Sequence, residues 1–538
     1  MRQNRKKSGL ILYNGIELPT IWPPQDVTLD MEPKPLPPYL VSPPEIIPID
    51  VGRQLFVDDF LIEQTTLKRT FHLAEYYPDN PVLAPDKPWE SCDYSQSPKW
   101  KPTRGAPTAM VFSDGVWYDP KDKLFKMWYM GGYDDSTCYA TSEDGTHWEK
   151  PILDVVPGTN KVCAIVRDSS TVWLDLEEKK PSRRYKMFYY MYHWLTKRVF
   201  ELQISFSSDG IHWRRPIAGR RPLLGDRTTV FWNPFRKVWV FSLRSRIPEI
   251  SRTRHYFESW EVFTGLHWEE NDPVPWTLAD KLDLPRPGLD MDHAQFYTLD
   301  CVAYESLIIG LFSVIQGHQP GRPKINELKV GFSRDGFHWH RPDRRAFIPV
   351  SEQERAWNYG NVQSAGGCCL VVGDKLYFYV SGRAGEDGSN ESGVCSTGLA
   401  TLRRDGFASM DAGEMEAILT TRPVSFSGKY LFINADTHAG EMRVEVLDEK
   451  DQVIAPFTRA NCVPITADKT LQAVTWEGAK DLSALSGKLV KFRFHLRNGK
   501  LYSFWVSPNK SGASHGYVAA GGPGFTGPMD TVGSKDSS

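Results

Sequence analysis

Five near-copies of one short peptide organise this chain. SEDGTHW begins at Ser142, and SSDGIHW at Ser207, an eroded FTGLHW at Phe263, SRDGFHW at Ser333 and RRDGFAS at Arg403 follow it. Their spacing, about 55 to 71 residues, is that of a repeat array in which each unit forms one supersecondary structure. The units share a grammar. In the first, FSDGVWYDP leads through the turn PKDK into LFKMWYMGG and then STCYATSEDGTHW; in the fourth, YTLDCVAYES precedes LIIGLFSVIQG and ELKVGFSRDGFHW. These runs are rich in β-branched and aromatic residues, are bounded by turn residues, and are not interrupted by any useful stretch of helical period, so the chain is expected to be all-β. Three strands per unit and a short edge strand after each HW make a four-stranded blade. Five such blades closing on one another form a five-bladed β-propeller, which protects its strand edges. RQLFVDDFLI, at Arg53 to Ile62, is expected to complete the last blade and latch the ring.

The repeated peptide itself reads as punctuation. Its Asp can bond its own backbone two residues on, its Gly supplies a positive φ, and its Trp is placed to pack between blades. Equivalent catalytic acids in four of five copies around a ring would have no chemical purpose. On either side of the repeats the composition changes. Residues 1–50 are a Pro-rich lead-in with PKPLPPYLVSPPEIIP, expected to lie extended against the surface, and the propeller occupies 51–409. From 410 to 508, segments such as GEMRVEVLDEKDQVI and LVKFRFHLRNGKLYSFWVS alternate like half-buried antiparallel strands and predict a C-terminal β-sandwich. Residues 509–538 lack core-forming residues and are expected to be disordered.

Composition narrows the partners. Lys and Arg (64) nearly balance Asp and Glu (66), for a net charge of -2 and no long basic run, which argues against nucleic acid and anionic membranes. The basic start MRQNRKKSGLILYNG has too short an apolar run for a signal peptide, and no stretch approaches membrane-spanning length, so a cytoplasmic protein is expected. The eight cysteines show neither CxxC pairs nor metal-ligand spacing and read as small core residues. No metal and no cofactor is implied.

The chemistry is sought where a propeller converges. Its innermost strands surround a funnel, and registering the five units on their first strands puts Asp114, Asp168, Asp226, Asp300 and the amides Asn361 and Gln363 at equivalent places. Any one of these acids could simply cap a turn. Together, crowded carboxylates raise one another's pKa, so that one stays protonated while another stays ionised, as glycosidic bond cleavage requires. Around them stand candidate sugar-binding residues: Arg104 before the first unit, Asp292 and His293 in the rim insertion NDPVPWTLADKLDLPRPGLDMDHAQ, Trp357 beside Asn361 and Gln363 in the fifth, and Arg383 at the end of its next strand. Arg227, Arg244 and Arg246 could alternatively form an anion site suited to phosphorolysis or to an acidic sugar.

The order of propeller and sandwich, with acids at the starts of successive inner strands, resembles glycoside hydrolase families 32 and 43. NPVLAPDKPWE, Asn80 to Glu90, is similar to a segment of the related mannoside phosphorylases, and NGIELPTIWPP, RQLFVDDFLI, FSDGVWYDP and NVQSAGG are phrases shared with family 32-like bacterial proteins of undefined activity. The resemblance covers roughly residues 50 to 508 and implies an exo-acting glycosidase acting on an oligosaccharide, with fructosides or other furanosides favoured. Carried over by position, it makes Asp114 the nucleophile or base and Asp168 the transition-state stabiliser. The third role, a Glu acid in those families, has no matching motif here. Asp226 takes it by register, and Glu305, five residues beyond Asp300, has the right chemistry but falls near the far end of its strand. Three readings stay open: a glycosidase or phosphorylase, a catalytically silent carbohydrate-binding propeller, and a protein-interaction propeller.

Overall fold

The computed structural model describes residues 9–91, 106–164, 167–192, 200–219, 226–248, 251–269, 271–386 and 391–533. The chain is all-β; the one α-helix of the described residues is the single turn Pro38–Val41. Five antiparallel sheets follow the repeat units. The first comprises Ala109–Asp119, Leu124–Gly131, Ser136–Ser142 and Lys161–Cys163, and the second Ser170–Leu174, Tyr185–Tyr192, Phe200–Ser207 and Ile217–Ala218. Thr229–Asn233, Val238–Ile247, Ser251–Ser259 and Val274–Thr277 make the third. The fourth is built on Gln295–Glu305, Leu307–Gln319 and Arg322–Ser333, and the fifth on Gly360–Ser364, Leu370–Val372, Lys375–Arg383 and Cys395–Arg403.

Each sheet touches the next, and the fifth returns to the first. Trp117 of the first donates its indole N–H to the Val172 carbonyl of the second (2.8 Å), and Trp173 meets Trp239 of the third edge-on. Thr229 bonds the Leu299 carbonyl of the fourth sheet, Asn326 the Val362 carbonyl of the fifth (2.7 Å), and the Val111 N–H of the first sheet donates to Thr397 of the fifth (2.9 Å). One apolar core runs through all five.

The repeated peptide is the turn that ends the third strand of a unit. Asp144 Oδ1 accepts from the backbone N–H groups of Thr146 and His147 (2.7 and 2.8 Å), and Asp209 and Asp335 repeat this bonding in their own turns. Gly210, at φ +83°, could carry no side chain, since its Cβ would lie 2.5 Å from the Trp128 ring. Instead its carbonyl accepts the Trp128 indole N–H at 2.7 Å, so the turn of the second sheet locks onto the first. Gly145 does the same with Tyr379 of the fifth sheet (2.6 Å). The fifth copy is used differently: Asp405 is buried and faces Arg53.

Two further sheets share a second core. One runs Asp468–Ala473, Tyr430–Asp436, Gly499–Ser507, Ala408–Ala412, Lys68–Phe71, with Gln54–Leu55 also paired to Gly499–Ser507; the other runs Glu441–Leu447, Lys491–Arg497, Ala417–Thr421, Ile62–Thr65. Phe494 and Phe504 meet across them at 5.4 Å. Leu12, Ile16, Leu18 and Tyr39 of the lead-in are buried in this core.

Two expectations are corrected. The segment from Arg53 to Ile62 does not complete the fifth sheet. Gln54–Leu55 and Ile62–Thr65 pair with Gly499–Ser507 and Ala417–Thr421, and Glu75–Tyr76 becomes the fifth sheet's edge strand. Apolar alternation made 53–62 a strand, but its aromatic face, with Phe56 stacked on Phe504, fits the second core. Residues 509–533 are also ordered rather than disordered. Tyr517–Val518 pairs with Tyr304 and Glu305 as a fourth strand of the fourth sheet, and Val518, Ala520 and Asp530 are buried. Small residues and glycines, which looked unfit for a core, let this segment lie flat beneath several sheets. Seven cysteines, all but Cys92, fall within the described residues and are free thiols, all buried or half-buried; no helix there is long and apolar enough to cross a membrane.

Candidate functional site

The first strands of the five sheets, and the turns that enter them, converge on one polar cluster. Asp114 lies on the first strand of the first sheet at an irregularity in the register between Met110 and Gly115. It is wholly buried and ion-paired with Arg167 (2.8 Å), which also donates to the Asp168 carbonyl (3.0 Å). Burial pushes the Asp114 carboxyl up, against the pull of Arg167. Asp168 itself is half-buried, and its Oδ1 has no hydrogen-bond partner among the described residues.

Asp226 and Arg227 enter the third sheet. The Arg227 N–H donates to Ser169 Oγ (3.0 Å), which brings the segments carrying Asp168 and Asp226 against one another. The Asp226 side chain keeps 31% exposure and is ion-paired with Arg244. Arg246, the third residue of the expected anion site, is exposed. Arg227 points inward and is fully buried, with its guanidinium over the Phe112 ring at 3.5 Å and bonded to Gln363 and Ser113.

Asp300, on the fourth sheet, is buried and accepts from Ser113 Oγ (3.2 Å) and Ser364 Oγ (2.6 Å). Burial raises its carboxyl to about 6, with the Ser364 bond and the charge of Arg227 pulling the other way. Asn361 lies 2.7 Å from Gln363 and within 3.3 Å of the Arg383 guanidinium, which in turn bonds Tyr133 (3.0 Å) and Ser392 (2.8 Å). A single bonded network therefore joins all five sheets.

Sequence reasoning missed three members: Arg167, Arg254 and Tyr297. Arg254 donates to the carbonyls of Arg227 (2.6 Å) and Tyr297, pinning the two segments. Tyr297 is buried among cations, with Arg227 5.1 Å, Arg252 5.3 Å and Lys324 4.6 Å from its ring centre. Burial pushes its phenol up, but Lys324 and Arg227 outweigh that and hold it at about 8. A signal existed for the first: VRDSS and GDRTT, the entrances to the second and third sheets, each place an Arg beside the Asp.

Other expected residues lie elsewhere or do something else. Glu305, at φ +50° on the far end of its strand, is enclosed by Arg53, Arg404 and Ser514, five residues or roughly 16 Å along the strand from Asp300. Trp357 packs its ring against Gly382 and Gly398 and meets Tyr76 edge-on, a packing position. Asp292 is exposed and His293 half-buried on the segment before Gln295. Arg104 lies outside the described residues.

The architecture and the cluster define an all-β protein with a carboxylate-and-guanidinium site at a point where five sheets meet. No protein-family model matches the chain, and no curated protein matches it. Solved structures do resemble it. They include an N-acetylgalactosamine deacetylase from F. plautii in complex with blood group B trisaccharide, with 14% identity, a TM-score of 0.42, and 61% of this chain and 97% of that one covered. A thermostable family-43 glycoside hydrolase is 11% identical with a TM-score of 0.41, covering 58% of this chain and 96% of that one. A fructofuranosidase variant from Schwanniomyces occidentalis complexed with fructosylnystose is 12% identical with a TM-score of 0.35, covering 73% of this chain and 94% of that one.

Proposed function

We propose that the five repeat sheets are the blades of a five-bladed β-propeller followed by a β-sandwich, and that the cluster at their meeting point cleaves a glycosidic bond of an oligosaccharide in an exo fashion. The observation that carries this reading is the arrangement of the acids. Asp168 and Asp226 are partly exposed and lie on segments held together by the bond from Arg227 to Ser169, while Asp114 and Asp300 are buried beneath. In this reading Asp114 anchors Arg167 rather than attacking the sugar, and Asp168 and Asp226 divide the acid and base work. The protonated carboxyl gives its proton to the glycosidic oxygen as that bond breaks. The ionised one attacks the anomeric carbon or takes a proton from the water that does. Asp226, against Arg244, suits the ionised role, which leaves the proton-donor role to Asp168. Fructosides and arabinofuranosides head the substrate choice because of the sequence resemblance.

The test is a screen of aryl glycosides and oligosaccharides, with and without inorganic phosphate, against the wild type, Asp168→Asn and Asp226→Asn. Each variant should lose at least about a hundredfold in kcat, the order expected of an acid–base group, with its thermal midpoint unchanged. Cleavage that persists in both variants removes the pair from the reaction. Phosphate-dependent turnover would make the reaction phosphorolysis, and binding without turnover would leave a carbohydrate-binding module.

A further inference from the structure

Buried charge in this protein is almost everywhere neutralised. Among the described residues every buried Lys and Arg is ion-paired with a carboxylate, as Arg334 is with Asp58 (2.8 Å) and Arg341 with Asp283 (2.6 Å), except three: Arg227, Arg254 and Arg383. These three are 0%, 0% and 1% exposed, and all belong to the one cluster. Arg254 is occupied by backbone carbonyls, and Arg383 by Tyr133 and Ser392. Arg227 has Nε and Nη1 buried with no hydrogen-bond partner among the described residues. Arg252, bonded to the neutral Gln295, and Lys324, at the Tyr297 ring, add positive charge with no carboxylate ion pair of their own among those residues.

The acids nearby do not restore the balance. Asp114 is taken by Arg167, and Asp300 is held by two serines. Asp168 and Asp300 are each close enough to favour the charged form of Arg227, but neither makes an ion pair with it. An isolated buried cation is strongly unfavourable unless a counter-charge arrives. The lowered pKa values of Arg227, Arg252 and Arg254, each due first to burial, are a second sign of that deficit. Lys324 also lines a cavity of about 530 Å³ together with Asp290, His318, Gln319, Arg322 and Glu391, within the ~300–1,000 Å³ range of small-molecule sites.

Resting on the carbohydrate reading above, we propose that the ligand supplies the missing charge: the sugar carries an oxyanion, a uronate carboxylate or a sulfate ester, received by Arg227, Arg252 and Lys324. Arg383 and Arg254 are positioning residues in this assignment. The first orients the Asn361–Gln363 amides, and the second fixes the backbone on either side. Arg227 Nε and Nη1 each offer one charge-assisted donor to such a group.

The test is calorimetric binding to the full chain, which does not depend on turnover. Galacturonate is paired with galactose, glucuronate with glucose, and galactose 6-sulfate with galactose, and inorganic phosphate is titrated alone. At least one acidic sugar should bind tenfold or more tightly than its neutral partner, and Arg227→Gln should remove that preference. Lys324→Gln, at the rim, should reduce it severalfold and serves if the first variant does not fold. Equal affinity for acidic and neutral sugars overturns the proposal, as does binding of none of them. Binding of phosphate alone also overturns it, because the anion would then be free rather than sugar-borne. Acidic-sugar binding with no cleavage of any glycoside would uphold this inference while defeating the hydrolytic reading.

Discussion

Two buried charge clusters in this protein use the same residue types at the same depth and come out differently. Beneath the fourth and fifth sheets, Arg53 and Arg404 meet Glu305, Asp405 and Asp530, with Arg53 bonded to Asp405 at 3.0 Å and Arg404 to Glu305 at 3.0 Å. Tyr304, Ser503 and Ser514 take up remaining lone pairs, and the Arg53 guanidinium lies 4.1 Å from the Trp505 ring. That cluster joins the repeat sheets to the second core. Where the first strands meet, Arg227, Arg254 and Arg383 have neutral partners only. A charge set that is complete without a ligand is a fastener. One that is incomplete is a receptor.

The sharpest way to break this contrast is to delete one cation from each cluster. Arg53→Met strands Glu305 and Asp405 with fewer counter-charges, and removing one partner of a buried pair costs about 3–5 kcal/mol; urea denaturation should show a loss of that order. A loss below about 1 kcal/mol would mean the fastener is not one. Next in size is Asp300→Asn. The folded-state carboxyl stands at about 6 against an ordinary 3.8, so its ionisation opposes folding. The cost is absent near pH 4 and complete above about pH 6, where it approaches about 3 kcal/mol. The variant should therefore be more stable than wild type at pH 7.5, with the gain vanishing as pH falls to 4. A constant difference across that range would contradict the assignment. The smallest loss is expected of Arg227→Met, which removes a buried cation with no ion pair, so that stability should hold or rise rather than fall, in contrast to Arg53→Met. If the two losses are equal, the receptor cluster is as neutralised as the fastener.

Local chemistry made the repeats legible. The Asp-Gly turns at Asp144, Asp209 and Asp335 are bonded as their sequence implies because those bonds are local, and register on the first strands located Asp114, Asp168, Asp226 and Asp300 at neighbouring places because each unit repeats the same strand order. Long-range choices were not legible. Nothing in 53–62 says which of two cores its aromatic face will join, and Glu75–Tyr76 is too short to announce itself as an edge strand. Asp300 and Glu305 look alike on one strand, yet Glu305 belongs to the fastener because Arg53 and Arg404 reach it from 252 and 99 residues away. Likewise Arg254 reads as one more strand residue until the carbonyls of Arg227 and Tyr297 are seen on it.

The segment around Val518 has a consequence for how the chain is made. Tyr118 of the first sheet donates its N–H to the Ala520 carbonyl, Ala520 donates to Cys369 of the fifth, and Ala519 to Ala303 of the fourth, at 3.0, 3.0 and 3.2 Å. Three sheets thus share a seam with residues that leave the ribosome hundreds of positions after Tyr118. The earlier sheets can gain their hairpins as they are synthesised, since those contacts are local, but the seam closes only after translation has passed Ala520. Contacts of such sequence separation carry the largest loop-closure cost and form late in folding.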